Sequence, residues 1–411
     1  MVATSKTQLN NNYLDMSVKI DEKKIEEFLT RGVEAIYPDV EALRKLLMSG
    51  KRIRAYQGFD PTGPYLHVGH AMGIRALRLL QDLGHEVIFL VGDFTAMVGD
   101  PDKDSTRDML TEEQIEKNMA GWKEQAAQLI DFSGENPVQF RRNSEWLSDV
   151  KLVEVLKMMS KTTLQRTMER DLFDRRLKAS DPIRLHEIVY PIMQGYDGVA
   201  MGVDMEIGGA DQTFNMLTGR ILSKAYLNKE KFVRANRMMN APDARTMSKT
   251  KGNGINLSDR PEDMYGKAMS YSDEEILNGL EFLTEVPMGD IGAIKKAMEK
   301  GENPMQYKKL MAFEIVKMIK GEASARQAEE HFSTVISSKE KPTDIPEIKP
   351  TNYDVITVLI ESKITSSKSE ARQVIQQGGV KLNDQKVDSF DTEVKPGDVL
   401  QKGSRFFVKV I

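Results

Sequence analysis

The sequence predicts an α/β protein: a parallel sheet flanked by helices, then an α-helical region, then a small α+β module. Three observations predict it. A strand, a turn-rich segment, a helix and a second strand follow one another between residues 52 and 95, which is the order of a βαβ unit. Residues 262–335 are helical in periodicity and charged. The polar segment "SSKEKPTDIPEIKP" (337–350), with three prolines, sets the last residues apart as a linker would.

Taken in order, residues 22–49 carry helical spacing, with Ile25, Phe28 and Leu29 and then Val40, Leu43, Leu46 and Leu47 on apolar faces. "RIRAYQGF" reads as a strand entering a Pro-Thr-Gly turn. From Val68 a helix carries Ile74, Leu77 and Leu80 inward and closes at Gly84. "HEVIFLVGDF" is an apolar run of the kind buried in a parallel sheet. Helices follow from Thr111 to Ile130, "PVQFRRNSEW" reads as strand and turn, and helical segments fill about 150–202. "VDMEIGGADQ" is a strand with a Gly-Gly turn, "TFNMLTGRILSKA" a helix and "KFVRANRM" another strand. "NAPDARTMSKTKGNGINLSD" is loop by composition. In the last module "YDVITVLIES" and "SKSEARQVIQQGG" are short helices, the second capped by a serine and closed by Gly378-Gly379. "VKLNDQKV", "PGDVLQKG" and "RFFVKVI" are strands with Asn-Asp and Pro-Gly-Asp turns.

The chain of 411 residues is too long for one small core. Its 40% hydrophobic and 29% charged residues fit a folded globular protein. A net charge of −4 gives no global basic field. The absence of cysteine excludes disulfides and thiolate metal sites and suits a reducing compartment. No run nears the roughly 18–20 apolar residues of a membrane span. The first twenty residues lack the apolar core of a secretory signal. A soluble, cytoplasmic protein without membrane contact is expected.

Chemistry concentrates in "YQGFDPTGPYLHVGH" (56–70). Gly63 and Gly69 let backbone approach a ligand, and the helix start offers free N–H groups and a positive dipole end. His67 and His70 there could donate to phosphate oxygens. A capped helix start whose rings fill space is the plainer alternative, and a metal site lacks a third ligand of suitable spacing. Further on, Tyr190, Gln194 and Asp197 are spaced i, i+4, i+7 and share a helix face, with Pro191 expected to kink the first turn and leave Tyr190 at its edge. Such a stripe suits a pocket beside a Gly-Gly turn, or else the polar outer face of an amphipathic helix.

"HVGH" (67–70) and "TMSKT" (246–250) resemble the two signatures of class I aminoacyl-tRNA synthetases, with Thr246 in place of the usual first lysine and Lys249 kept. "HEIVYPIMQGYDGVAMGVDMEIGGADQ" (186–212) resembles the tyrosine-binding helix and substrate loop of tyrosyl-tRNA synthetases, and "YQGFDPT" and "VGDFTAMVGDPD" resemble that family's strands around them. The resemblance runs from about Tyr56 to Thr250, weakens through the helical region, and returns in "TSSKSEARQVIQQGGVKLNDQKV", which is similar to the S-four type of ribosomal-protein RNA-binding domain.

That resemblance implies a Rossmann-like catalytic domain (1–245) with N-terminal helices and a connective insert at about 110–200. It further implies a signature loop (246–258), an α-helical anticodon-side domain (259–336), the linker 337–350, and an RNA-binding domain (351–411). Tyr56 and Asp197 would hold a phenol, Asp100, Tyr190 and Gln194 an α-ammonium group, and Gln212 would lie beside the carboxylate. ATP would meet Gly58, Asp60, His67, Gly69, His70, Gly209, Asp211, Met247, Ser248 and Lys249. Of these, Asp211 would bind ribose, and His67, His70 and Lys249 would be catalytic. Thr95 and Asn143 would be lesser contacts. Lys103 and Arg107 would help draw out pyrophosphate, or else be solvated loop charges. Lys368 and Arg372, four apart on a helix, would meet tRNA phosphates. The implied partners are L-tyrosine, ATP with Mg²⁺, tRNA(Tyr) and a second copy of the chain; no structural metal is implied. Tryptophan activation, a small-molecule nucleotidyltransferase and a catalytically silent RNA-binding relative are the alternatives. Tyr56 with Asp197 suits a phenol, which both donates and accepts, better than an indole, which only donates.

Overall fold

The computed structural model describes residues 17–100, 109–168, 171–242, 247, 253–337, 345–365, 367–376, 378–403 and 406–411. The chain divides into two compact units, Met1–Glu329 and Glu330–Ile411. No helix among the described residues is long and apolar enough to cross a membrane.

The first unit is built on six strands: β1 Val33–Tyr37, β2 Arg54–Phe59, β3 Glu86–Val91, β4 Gln139–Arg142, β5 Met205–Gly209 and β6 Phe232–Asn236. Their order is β1-β6-β5-β2-β3-β4. β2 to β6 run parallel, and β1 pairs antiparallel with β6. Helices cover both faces, so β3 is buried along Val87–Val91, as its unbroken apolar run requires. From β2 the chain winds outward through β3 to β4, then returns to lay β5 on the other side. That reversal between β2 and β5 opens a crevice at the carboxyl ends of the strands, where ligands bind in such sheets.

Two expectations need correction here. Residues 22–49 are not continuously helical: β1 stands between helices Glu22–Thr30 and Val40–Met48. "VEAIY" follows Gly32, whose φ of +62° breaks the first helix. The apolar spacing on either side hid a strand of five residues. Second, Tyr190 does not lie at a helix edge. Its helix starts at Leu185, where Glu187 Oε1 accepts from the Arg184 N–H at 2.8 Å, and Pro191 is accommodated inside it. Tyr190 is buried.

That helix, Leu185–Ala200, packs closely on Thr213–Leu227 because both are glycines where they cross. A Cβ on Gly195 would lie 3.1 Å from Gly219 Cα. The following helices are tied to the sheet by Arg31. Its guanidinium donates to the carbonyls of Leu280 and Glu281, orphan acceptors in the last turn of helix Ile276–Leu283, and to those of Thr284 and Val286 just beyond it.

The second unit holds β7 Glu347–Ile348, β8 Val380–Leu382, β9 Gln385–Lys386, β10 Val399–Lys402 and β11 Phe406–Val410, in the order β7-β11-β10-β8-β9. Helices Val355–Glu361 and Lys368–Gln376 close its core of Val355, Leu359, Ala371, Val380, Leu400 and Val408. Asn383 and Asp384 turn β8 into β9 with φ of 47° and 70°, as the Asn-Asp pair predicts. The segment expected as a linker is not linker throughout: β7 pairs parallel with Lys409 and Val410. Ile348 packs on the core, a contact that two flanking prolines and a polar composition concealed.

Candidate active site

Five side chains from four elements meet at the crevice. The Tyr190 hydroxyl donates to Asp60 Oδ2 at 2.8 Å, and Thr95 Oγ1 donates to Asp60 Oδ1 at 2.9 Å. Asn143, fully buried after β4, donates to Thr95 Oγ1 at 3.0 Å and to Asp197 Oδ2 at 3.3 Å. The helix face Tyr190–Gln194–Asp197 is therefore turned inward, not outward to solvent. Gly92 makes this possible, since a Cβ there would stand 2.1 Å from Asp60 Oδ1. The sequence grouped Asp60 with ATP; its hydrogen bonds join it to Tyr190 and Thr95, on the side expected for the amino acid.

Burial pushes the Asp197 carboxyl well above the usual carboxylate range, while the donors Trp146 and Asn143 pull it back. Trp146 Nε1 donates to Asp197 Oδ1 at 2.8 Å. Burial likewise raises the Tyr56 hydroxyl, with Glu206 and Asp197 adding, so the phenol stays a donor. That hydroxyl is fully buried and forms no hydrogen bond of good geometry among the described residues. Tyr190 is raised by burial and by Asp60 and Asp100.

At the end of β5, Gln212 donates to Asp100 Oδ2 at 2.7 Å and to Asp211 Oδ2 at 3.3 Å. Its own oxygen accepts from Asn215 at 2.9 Å. Burial, then Asp100, raises the Asp211 carboxyl. A Cβ on Gly209 would meet Asp211 Oδ1 at 2.3 Å, and one on Gly58 would meet only Leu90 at 3.8 Å.

The helix Val68–Asp82 starts beside this floor. The His67 N–H donates to His70 Nδ1 at 3.0 Å, and the two rings lie 3.7 Å apart between centroids. Gly69 has no room for more: a Cβ would stand 3.0 Å from the His67 ring and 3.6 Å from Met247 Cε. The end of the expected signature loop docks on the same place, with Val68 N donating to Ile255 O and Leu257 N to Leu66 O. The two signatures thus come together through Met247 and residues 255–257. Ser248 and Lys249 lie outside the described residues, as do Thr246, Lys103 and Arg107. In the second unit Lys368 and Arg372 are exposed on one helix, with Arg372 over the Phe390 ring at 6.0 Å.

Among the described residues no cluster of three or more His, Cys, Asp or Glu is arranged to hold a metal ion. Sequence reasoning missed Trp146, Glu206 and Lys231. A carboxylate in the middle of the apolar strand "MEIGG" was the available signal for Glu206.

Residues 48–337 match the family model of class I tRNA synthetases (W and Y), and residues 337–408 match that of the tyrosine–tRNA ligase C-terminal domain. The tyrosine–tRNA ligase of Dehalococcoides mccartyi strain 195 is 39% identical over 95% of this chain and 99% of its own. That of Moorella thermoacetica is 40% identical over 93% and 94%. Among solved structures, the truncated mitochondrial tyrosyl-tRNA synthetase of Coccidioides posadasii superposes with a TM-score of 0.62 at 23% identity, covering 76% of this chain and 92% of that one. The Archaeoglobus fulgidus tyrosyl-tRNA synthetase, solved with L-tyrosine, gives 0.59 at 24%, covering 75% and 99%. Both share the fold.

Proposed function

The chain belongs to the tyrosine–tRNA ligase family of class I aminoacyl-tRNA synthetases, and from that membership we infer its reaction: ATP-dependent joining of L-tyrosine to tRNA(Tyr). The tyrosine carboxylate attacks the α-phosphorus of ATP in line and expels pyrophosphate. The terminal ribose hydroxyl of the tRNA then attacks the tyrosyl-adenylate and releases AMP. The carboxylate is already ionised, so the first step needs no general base. Positioning and stabilisation of phosphate charge carry the rate.

The observation that carries the assignment of residues is the hydrogen-bonded floor of Tyr190, Asp60, Thr95, Asn143 and Asp197 beside the His67–His70 helix start. Tyr56 donates to the phenol oxygen and Asp197 accepts from the phenol. Phenylalanine would leave the buried Tyr56 hydroxyl unpaired and deprive Asp197 of one donor, which opposes its binding. Tyr190, Gln194 and Asp100 face the α-ammonium group, Gln212 the carboxylate and Asp211 the ribose. His67 and His70 serve the ATP phosphates, with Gly58, Gly69 and Gly209 keeping backbone close to the nucleotide. Met247, Ser248 and Lys249 close the loop over the leaving pyrophosphate, with Lys103 and Arg107 as helpers. Mg²⁺ would come with ATP and supply charge neutralisation at its phosphates, which calls for no all-protein cage.

The active form is a homodimer. In support, Leu152, Val153, Leu156, Leu164, Leu177 and Leu185 leave an exposed apolar surface across the 150–185 helices, of the kind a second copy covers. Lys368 and Arg372 meet tRNA phosphates.

Amino-acid-dependent exchange of labelled pyrophosphate into ATP tests the activation step, with tyrosine, phenylalanine and tryptophan run side by side. Exchange with tyrosine alone is expected. Exchange with tryptophan, or with none, overturns the pocket assignment.

A further inference from the structure

Beneath the pocket lies an ion pair for which the two chemical steps have no use. Lys231, just before β6, is completely buried, and its Nζ donates to Glu206 Oε2 on β5, itself buried. Space for it is provided by glycines: a Cβ on Gly219 would lie 2.2 Å from Lys231 Nζ, and one on Gly198 3.4 Å away. Burying two charges costs more than an apolar pair of the same shape, so stability does not explain this arrangement.

Its other partner does. Glu206 Oε1 accepts from Gln194 Nε2 at 3.1 Å. A carboxylate can only accept, so Gln194 must turn its NH₂ toward Glu206 and its oxygen away. That oxygen, Oε1, is buried and has no hydrogen-bond partner among the described residues. An acceptor held in this way suits an ammonium group. We propose that the Lys231–Glu206 pair is a positioning device that fixes the Gln194 amide with its oxygen toward the α-ammonium group of the substrate. This rests on the assignment of Gln194 to the ammonium made above.

The charge on Lys231 sets the polarity of the whole row. An ammonium group only donates, as does the substrate's, and the row between them must alternate donor and acceptor. If residue 206 were an amide, it would give its oxygen to Lys231 and its NH₂ to Gln194. Gln194 would then flip and present its own NH₂ to the substrate ammonium. Glu206→Gln, nearly isosteric, should therefore reverse the last acceptor. Replacing Lys231 as well by Met frees the new amide to turn its oxygen back to Gln194.

Equilibrium binding to the full chain tests this with two probes, L-tyrosine and 3-(4-hydroxyphenyl)propionate, which keeps the phenol and carboxylate but lacks the ammonium group. Glu206→Gln is expected to weaken tyrosine by about tenfold or more and to leave the second probe within about twofold. Glu206→Gln with Lys231→Met should recover most of the tyrosine affinity. Equal weakening of both probes, or of neither, overturns the proposal. Should Glu206→Gln fail to fold around the stranded ammonium, Glu206→Leu with Lys231→Met carries no buried charge. That pair should still lower tyrosine affinity alone, and an unchanged ratio overturns the proposal. Gln194→Met separates the two layers of the argument. If it leaves the ratio of the probes unchanged, Gln194 does not face the ammonium and the assignment beneath the proposal fails. If it moves the ratio while Glu206→Gln does not, only the positioning device fails.

Discussion

His85 shows how a single buried ring couples this fold to pH. It precedes β3, is 1% exposed, and among the described residues only its ring Nδ1 is engaged, accepting from Ile53 N at 3.4 Å. Burial, and then Arg52, push its pKa down to about 4. The unfolded chain binds a proton near pH 6.5 and the folded chain does not, so the unfolded state gains protons between the two values. The His85 contribution is therefore complete above about pH 6.5 and lost as pH falls toward 4, to a limit of about 3 kcal/mol. Urea unfolding midpoints across that range should fall steeply in the natural chain and less steeply in His85→Gln; equal slopes would refute the assignment. At this scale the sequence was partly legible. Tyr190, Gln194 and Asp197 could be placed on one face because helical spacing is local. The direction of Asp60 could not, because a Pro-Thr-Gly turn reads the same whichever way the preceding carboxylate points. Trp146 and Lys231 act through partners far away in the chain, Asp197 and Glu206, and no periodicity reports such pairs.

Elements were legible where pattern and turn agreed. β2, the helix from Val68, and β3 follow directly from an apolar run, a Gly- and Pro-rich turn and a 3.6-residue period. β1 and β7 were not, since five and two residues are too few to show a period against helical or proline-rich neighbours. The crossing of helices Leu185–Ala200 and Thr213–Leu227 was equally hidden, although its determinants are only glycines. Gly219→Ala brings a methyl to 2.2 Å from Lys231 Nζ and 3.3 Å from Gly195 Cα. The helices must part or the lysine must move, at a cost of about 1–3 kcal/mol. A lowered melting temperature is expected, together with weaker tyrosine binding, because the Lys231–Glu206–Gln194 row runs through that crossing. Unchanged stability would show that the two helices tolerate a wider gap.

For the whole molecule, the prolines of 337–350 led to the expectation of a change of unit there, whereas the compact units divide at Glu329 and Glu330, inside helix Glu322–Ser337. The apolar surface of the 150–185 helices was not legible as such. Leu152, Leu156 and Leu164 fit a helical core pattern, and only the fold reveals that they are exposed. Leu152→Glu with Leu156→Glu should turn a dimer into a monomer by sedimentation at micromolar concentration, while leaving the melting temperature of the monomer unit intact. A natural chain that sediments as a monomer would refute the dimer outright. One edge of the sheet adds a constraint of time. Among the described residues β1 pairs with β6 alone, whose residues lie about 200 positions later in the chain (Val33 opposite Asn236). On the ribosome β1 is thus delivered long before its neighbour is made, and its amides wait in water while the central strands emerge. β1 leaves the exit tunnel before the central strands and is paired only once β6 has been made, so a nascent chain halted before residue 232 has an open sheet edge on which other chains can add.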